Sequence, residues 1–159
     1  MSTRFRLSGK VTHVGRQLEL NLAEGAPFQA SVQLDESKSD EAAVTPLIGT
    51  YPGAVEAIEA DIGGALSLTL QSGYLSKVSK RIDEPYAYIL EAQLVGTLDG
   101  AEMRGTLEII LTQRCESTPA SDDDSLAPPV IAHYRDRRWR IWLAVTGRST
   151  DKIEGLLDA

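Results

Sequence analysis

The sequence predicts an all-β domain, either an antiparallel barrel-like sheet or a two-sheet sandwich of about eight strands, with a short C-terminal helix. Three observations lead to this fold class: a long hairpin around an Asp-Gly turn, several segments of alternating apolar and polar residues, and the glycines Gly9, Gly96 and Gly105 on apolar strand faces. Alternation with a period of two is typical of strands that bury one face. Because glycine on a buried face permits the sharp coiling of a closed sheet, we favour the barrel over the sandwich.

Three amphipathic strands are predicted between residues 5 and 34. A turn at Gly15-Arg16 would join the first strand to the second and set Gly9 opposite Leu22. In this register His13 lies at the turn end of the apolar face, where we expect a packed histidine rather than a general base. The third strand follows a second turn and alternates in the same way.

Residues 54–62 fit both a helix and a strand. A helix would gather the apolar residues on one side and end at two glycines. A strand would set Ile62 opposite Leu66, and Ala60 opposite Leu68, across a three-residue loop. We favour the strand because its register matches that of the next alternating segment.

The clearest element is a hairpin over residues 88–111 that turns at Asp99-Gly100. Asp-Gly favours a two-residue hairpin turn, in which both central residues need positive φ. With Leu98 opposite Ala101, the apolar residues of both arms share one face. A slip of one residue would invert every side chain, so this register is strongly specified. The residues expected in the core include Leu94, Leu107 and Ile109.

The chain ends with a predicted hairpin and a predicted helix. A turn at Asp136-Arg137 would fold residues 130–145 into two strands, with Tyr134 beside Trp139 on the buried face. Residues 149–157 begin with Ser and Thr, either of which can cap a helix. The apolar side of this helix would consist of Ile153, Leu156 and Leu157.

The 159 residues are expected to form a single domain, residues 1–159, with mobile loops near 35–45 and 116–129. The formal net charge of -7 disfavours nucleic acid and anionic membranes as partners, since both attract a positive surface. We see no signal peptide and no apolar run long enough to cross a bilayer. The single cysteine, Cys115, cannot form an internal disulfide, so we expect a cytoplasmic protein.

No catalytic residue, metal site or cofactor is expected from the sequence. The two histidines and the cysteine are far apart and form no zinc-binding motif. Residues 122–124 are three aspartates, which cannot all point towards one ion on an extended chain. Glu91 and Glu108 face each other across the long hairpin, but on its solvent side, where water screens both charges. We therefore expect a protein that is not an enzyme.

The outer face of the predicted last hairpin is the candidate binding surface. A turn at Asp136-Arg137 would bring Arg135 opposite Arg138. It would also bring His133 opposite Arg140, so positive groups would face each other in two pairs. Such pairs are destabilising unless a negative group neutralises them, and arginine and tryptophan are enriched at the anchors of interfaces. The candidate partner-binding residues are His133, Arg135, Arg138, Arg140 and Trp142.

Three sources could supply the neutralising charge: the aspartates at residues 122–124, an acidic partner protein, or a nucleic-acid backbone. The acidic chain disfavours the third. We expect a non-catalytic protein-interaction or assembly-subunit domain that binds another protein with an acidic surface. The alternative is a β-barrel that binds a small apolar ligand, which depends on fold analogy alone.

Overall fold

The computed structural model describes residues 2–16, 22–38, 48–72, 76–81, 87–98, 100–114, 126–147 and 149–159. They form β-strands and one 3-10 helix, Ile131–His133. The strands are β1 (Ser2–Val14), β2 (Pro27–Asp35), β3 (Ile48–Pro52), β4 (Val55–Ile62), β5 (Leu66–Leu70), β6 (Lys77–Arg81), β7 (Ala87–Leu98), β8 (Ala101–Arg114), β9 (Tyr134–Val145) and β10 (Asp151–Leu157). None of the described residues belongs to a helix long and apolar enough to cross a membrane.

The sheet closes on itself into an antiparallel barrel. The closed ring of eight strands runs in the order β1, β2, β4, β5, β7, β8, β9 and β10, and β10 returns to β1. One edge of β7 pairs with β5 near one end and with β6 near the other, and β3 pairs with β6. The all-β fold and the barrel are therefore confirmed, because a sandwich would leave two separate sheets.

The long hairpin has the register predicted from the sequence. Leu98 pairs with Ala101, and Gly100 has a φ of 80°, which a type I′ turn requires and glycine adopts without steric cost. Asp99 itself lies outside the described residues. Leu94, Leu107 and Ile109 are buried as expected.

Residues 54–62 form a strand, as favoured above. In β4 and β5, Ala60 pairs with Leu68 and Ile62 pairs with Leu66 across the three-residue loop. The paired neighbours on both edges of β4 satisfy its backbone groups, and this long-range pairing outweighs the local helix preference of its alanines and glutamates.

The predicted N-terminal hairpin is wrong. Gly9 lies between Phe28 of β2 and Leu157 of β10, which leaves no position beside it for Leu22. Residues 17–21 lie outside the described part of the chain. A bulge in β1 after Val11 shifts the pairing with β10, so His13 is exposed opposite Glu154 instead of packed on the apolar face.

The predicted C-terminal helix is also wrong, because residues 151–157 form strand β10. Ile153 and Leu157 point into the core with Gly155 between them, which is a period of two. The glycine concealed this alternation in the sequence. β10 pairs with β1 on one edge and β9 on the other, so it is the strand that closes the barrel.

The predicted turn at Asp136-Arg137 does not occur. Residues 134–145 form one continuous strand, β9, which pairs with β8 on one edge and β10 on the other. Asp-Arg lacks the glycine that makes Asp-Gly a strong turn signal. Tyr134 and Trp139 are both buried, but they lie on the same strand rather than side by side.

An aromatic stack occupies the core. The rings of Phe28 and Trp139 have centroids 4.2 Å apart and planes 13° from parallel. Gly155 pairs with Trp139, and a Cβ at this glycine would overlap the indole ring and the carbonyl oxygen of Lys10. Leu126 is buried in the same core, although the sequence placed it in a mobile loop. Gly9, Gly96 and Gly105, the three glycines predicted on apolar strand faces, also lie close to neighbouring strands.

Candidate interaction surface

Three of the five candidate residues share the outer side of β9. Arg138, Arg140 and Trp142 alternate with buried residues of the strand, and we call these three side chains the β9 face. Their common orientation follows from the strand period, as the sequence predicted. Arg135 is exposed at the beginning of the strand, and His133 ends the 3-10 helix that precedes it. Neither faces the arginine that the predicted hairpin assigned to it.

Arg140 lies in a row of charged residues that crosses the barrel perpendicular to the strands. Its neighbours are Glu108 on β8 and Glu154 on β10. The Nη2 atom of Arg140 lies 2.9 Å from Oε2 of Glu108. The expected clash between positive groups is therefore wrong, because carboxylates flank this arginine on both sides. The complete row is Lys77, Glu91, Glu108, Arg140, Glu154 and His13.

The same row explains how Glu91 and Glu108 tolerate each other. They are paired directly across β7 and β8, as predicted. Lys77 Nζ lies 3.9 Å from Oε2 of Glu91, while Arg140 contacts Glu108 on the other side. Each carboxylate thus has its own cation, which offsets the repulsion between the two.

The carboxyl of Glu154 stays ionised at a lower pH than that of an ordinary glutamate, because its pKa is lowered. A hydrogen bond from Lys152, whose Nζ lies 2.6 Å from Oε1, is the main cause that lowers the pKa of this carboxyl, and partial burial opposes it. The positive charges of Lys152, His13 and Arg140 lower the pKa further. Glu154 therefore keeps its negative charge beside Arg140 at a lower pH than an unperturbed glutamate would.

Trp142 lies in the next row and is open to solvent. Its side chain is 42% exposed between Thr106 on β8 and Lys152 on β10. Nζ of Lys152 lies 5.6 Å from the ring centroid, within the range of a cation–π interaction. Thr106 is too short to cover the ring, and its hydroxyl donates instead to Oε1 of Gln93 at 3.1 Å. The exposed part of the indole is thereby left for a further contact.

Arg138 lies in a third row beside one exposed apolar residue. Its Nε atom donates to Oδ1 of Asp136 at 2.7 Å. The adjacent residue on β10 is Leu156, which is 53% exposed, and Lys10 follows on β1. Single exposed apolar residues are common. Trp142 and Leu156, however, lie in the two rows that flank the charged row, on the same outer face of the barrel.

The residues that neutralise and border the β9 face were not predicted from the sequence. Glu108 was placed on the solvent side, but its partner Arg140 was assigned to a different hairpin. Lys152, Glu154 and Leu156 were assigned to a helix. The signal that could have found them was the alternation from residue 152 to residue 157, with glycine at one inward position.

The rest of the described surface contains a groove but no cluster of metal ligands. Among the described residues, no three His, Cys, Asp or Glu side chains are grouped closely enough to hold a metal ion. A groove of about 680 Å³ crosses β1, β2, β4 and β5, and its two arginines are balanced by two carboxylates. Cys115 and the aspartates at residues 122–124 lie outside the described part of the chain.

Comparisons of the chain with protein-family models, with curated proteins and with solved structures find no match.

Proposed function

We propose that this protein is a non-catalytic interaction or assembly-subunit domain whose partner protein binds across the β9 face. The observation that carries the proposal is the exposed indole of Trp142 on a strand that is paired on both edges at this position. A side chain on such a strand is presented at little further cost in conformational entropy. Tryptophan beside arginine is the composition that dominates binding energy at interfaces.

Charge supports an acidic partner. Lys10 forms no ion pair with a described residue, and Arg138, although it contacts Asp136, keeps 63% of its side chain accessible. The carboxylates of Glu108 and Glu154 already contact cations of the domain itself. Complementary charge at the rim would accelerate association and set orientation, while the apolar side chains would supply affinity.

The barrel that binds a small apolar ligand is the second candidate. It has less support, because the stacked rings of Phe28 and Trp139 fill part of the interior and most of the other buried side chains among the described residues are larger than alanine. An apolar ligand needs a pocket of a few hundred Å³. Mass spectrometry of the purified protein under native conditions would detect a retained ligand.

The interaction proposal can be tested by photo-cross-linking in the source cell. A benzoylphenylalanine is placed at Trp142, and a matched control carries it at Val130, which is 51% exposed but lies before β9. We expect one protein with an acidic surface to be captured at Trp142 and not at Val130. Capture of the same proteins at both positions, or of none at Trp142, would contradict the proposal.

A further inference from the structure

Strand β1 is paired on both edges over only part of its length. β2 lies along one edge from the first residue of the strand. On the other edge, β10 pairs with β1 only from Gly9 onwards, and one further hydrogen bond joins the N–H of Asp158 to the carbonyl of Ser8 at 2.8 Å. No described strand lies beside residues 2–7 on this side, and we call this unpaired side of β1 the β1 edge.

The backbone groups of Arg4 and Arg6 point towards the β1 edge. In an antiparallel strand, the N–H and C=O groups of successive residues point to opposite sides. Val11 bonds on the side of β2, since its N–H donates to the carbonyl of Ala26 at 2.9 Å, so the even-numbered residues before it face the other side, as Ser8 does. Neither Arg4 nor Arg6 has a backbone partner there among the described residues. Such a row of free donors and acceptors is a template for a further strand.

The side chains of the β1 edge indicate which strand would fit. Arg4 and Arg6 are exposed on the outer side and form no ion pair with a described residue. Their paired neighbours on β2 are Gln33 and Ser31, so neither arginine has a carboxylate directly opposite on that strand. Phe5 lies between them on the inner side, where it packs against the core but is only half-buried.

Charge favours an acidic strand over a second copy of this protein. The two carboxylates of the groove, Glu59 and Asp61, belong to β4 and are separated from β1 by β2. Asp158, at the end of β10, accepts from the hydroxyl of Ser8 at 3.3 Å. Acidic residues directly opposite the two arginines would therefore be attracted to them. A second β1, paired antiparallel over the same residues, would set arginine opposite arginine, which is destabilising.

We infer that the β1 edge accepts an extended segment of a partner protein as an additional antiparallel strand, with acidic residues opposite Arg4 and Arg6 and an apolar residue opposite Phe5. The segment continues the ladder that β10 begins, and its backbone pairs with the free groups of both arginines. Side chains approach closely in the non-hydrogen-bonded pair with Phe5, so the apolar residue covers the exposed part of the ring. This inference goes beyond the proposed function, because it does not use the β9 face.

The test uses blocked peptides and amide chemical shifts of the whole protein. The probe is a seven-residue peptide with a central Glu-Val-Glu between threonines. In the inferred register the amides of both glutamates donate to β1, whereas the amide of the valine points away. N-methylation of the two glutamates should therefore weaken binding roughly tenfold, while N-methylation of the valine should change it less than about twofold. We expect the probe to shift the amide signals of Arg4, Phe5 and Arg6.

A pair of variants assigns the charge effect to the β1 edge. Arg6→Gln removes one of its cations, and Arg104→Gln, on β8, is the control with the same change in net charge. Both side chains are exposed, so the barrel should still fold. We expect Arg6→Gln to weaken the probe severalfold and Arg104→Gln to leave its binding unchanged.

Hydrogen exchange tests the edge itself. In the free protein, the amides of Arg4 and Arg6 should exchange faster than that of Phe5, which faces β2, and the probe should slow both. Slow exchange without the probe would overturn the inference, because the edge would already be covered. Equal binding of the two N-methylated peptides, no shifts at the β1 edge, or shifts that depend on protein concentration without peptide would also overturn it. The cross-linking at Trp142 tests the proposed function independently of these results.

Discussion

The β7–β8 hairpin and the C-terminal strands β9 and β10 are both long antiparallel arms, but different information determines them. In the hairpin, a two-residue turn joins the arms, and Gly100 at positive φ fixes the register locally. In the C-terminal arm, β9 takes its register from β8, and β10 takes its register from β1 and β9. The candidate interaction surface lies on the second arm. It therefore depends on closure of the barrel, which no local motif encodes.

Gly155→Ala distinguishes a helix from a strand at residues 151–157, because the two structures predict opposite changes in stability. We expect the largest change in stability from this substitution. In a helix, this change would stabilise by about 1 kcal/mol. In β10, the new methyl group overlaps the ring of Trp139 and the carbonyl oxygen of Lys10, so we expect a loss of about 3 kcal/mol. Urea unfolding measures the difference. An increase in stability would mean that residues 151–157 form a helix after all.

Gly100→Val tests the turn that fixes the register of the β7–β8 hairpin. A β-branched residue at a φ of 80° is strained, so we expect a loss of about 1–3 kcal/mol. Gly100→Asn is the matched control, since asparagine tolerates positive φ, and its cost should be clearly smaller. Thermal unfolding of both variants decides the point. Equal melting temperatures for valine and asparagine would show that the turn does not impose this conformation.

Arg140→Ser tests the register of β9 against β8 and β10, because this register gives Arg140 two carboxylate neighbours. The predicted hairpin would gain stability from this change, because two positive groups would be separated. The barrel should lose about 0.5–1 kcal/mol, because Glu108 and Glu154 lose their shared cation. Arg135→Ser is the control, since Arg135 forms no ion pair with any described residue, and it should be nearly neutral. Chemical unfolding that shows Arg140→Ser to be stabilising would contradict the register.

Glu154→Gln should produce the smallest effect, and this effect should depend on pH. The hydrogen bond from Lys152 lowers the pKa of Glu154 below its ordinary value of 4.5. A depressed carboxyl pKa stabilises the folded state above the unfolded pKa, and this stability is lost as the pH falls through the folded pKa. The variant should therefore be less stable than the wild type near neutral pH. Unfolding curves at decreasing pH should show the difference shrinking below 4.5, and a constant difference would contradict this role.

The sequence predicted those parts of the fold whose register is set by neighbouring residues. The alternation in β7 and β8, and the match of Ala60 and Ile62 to the next strand, each involve short loops and one visible period. The order of the remaining strands could not be predicted in this way. Gly9 has two strand neighbours, one from β2 and one from the end of the chain, and nothing near it in sequence indicates either.

The candidate site was also predicted only in part. Arg138, Arg140 and Trp142 were predicted to share a face because they alternate along one strand, and that is confirmed. Their neighbours were not predicted, because Glu108 is about thirty residues away and Glu154 was assigned to a helix. As a result, the predicted charge environment of Arg140 was wrong. The arginine that the sequence left opposed to another positive group is flanked by two carboxylates.

The affinity of the captured partner for variants of the β9 face tests the central claim most directly. Isothermal titration calorimetry would compare the wild type with Trp142→Ser, and with Val130→Ser as a matched loss of an exposed apolar side chain. We expect Trp142→Ser to weaken binding by about thirtyfold or more, Val130→Ser to leave it unchanged, and rising salt to weaken the wild-type complex. An unchanged affinity for Trp142→Ser, with the fold intact by circular dichroism, would contradict the claim that the partner binds across the β9 face.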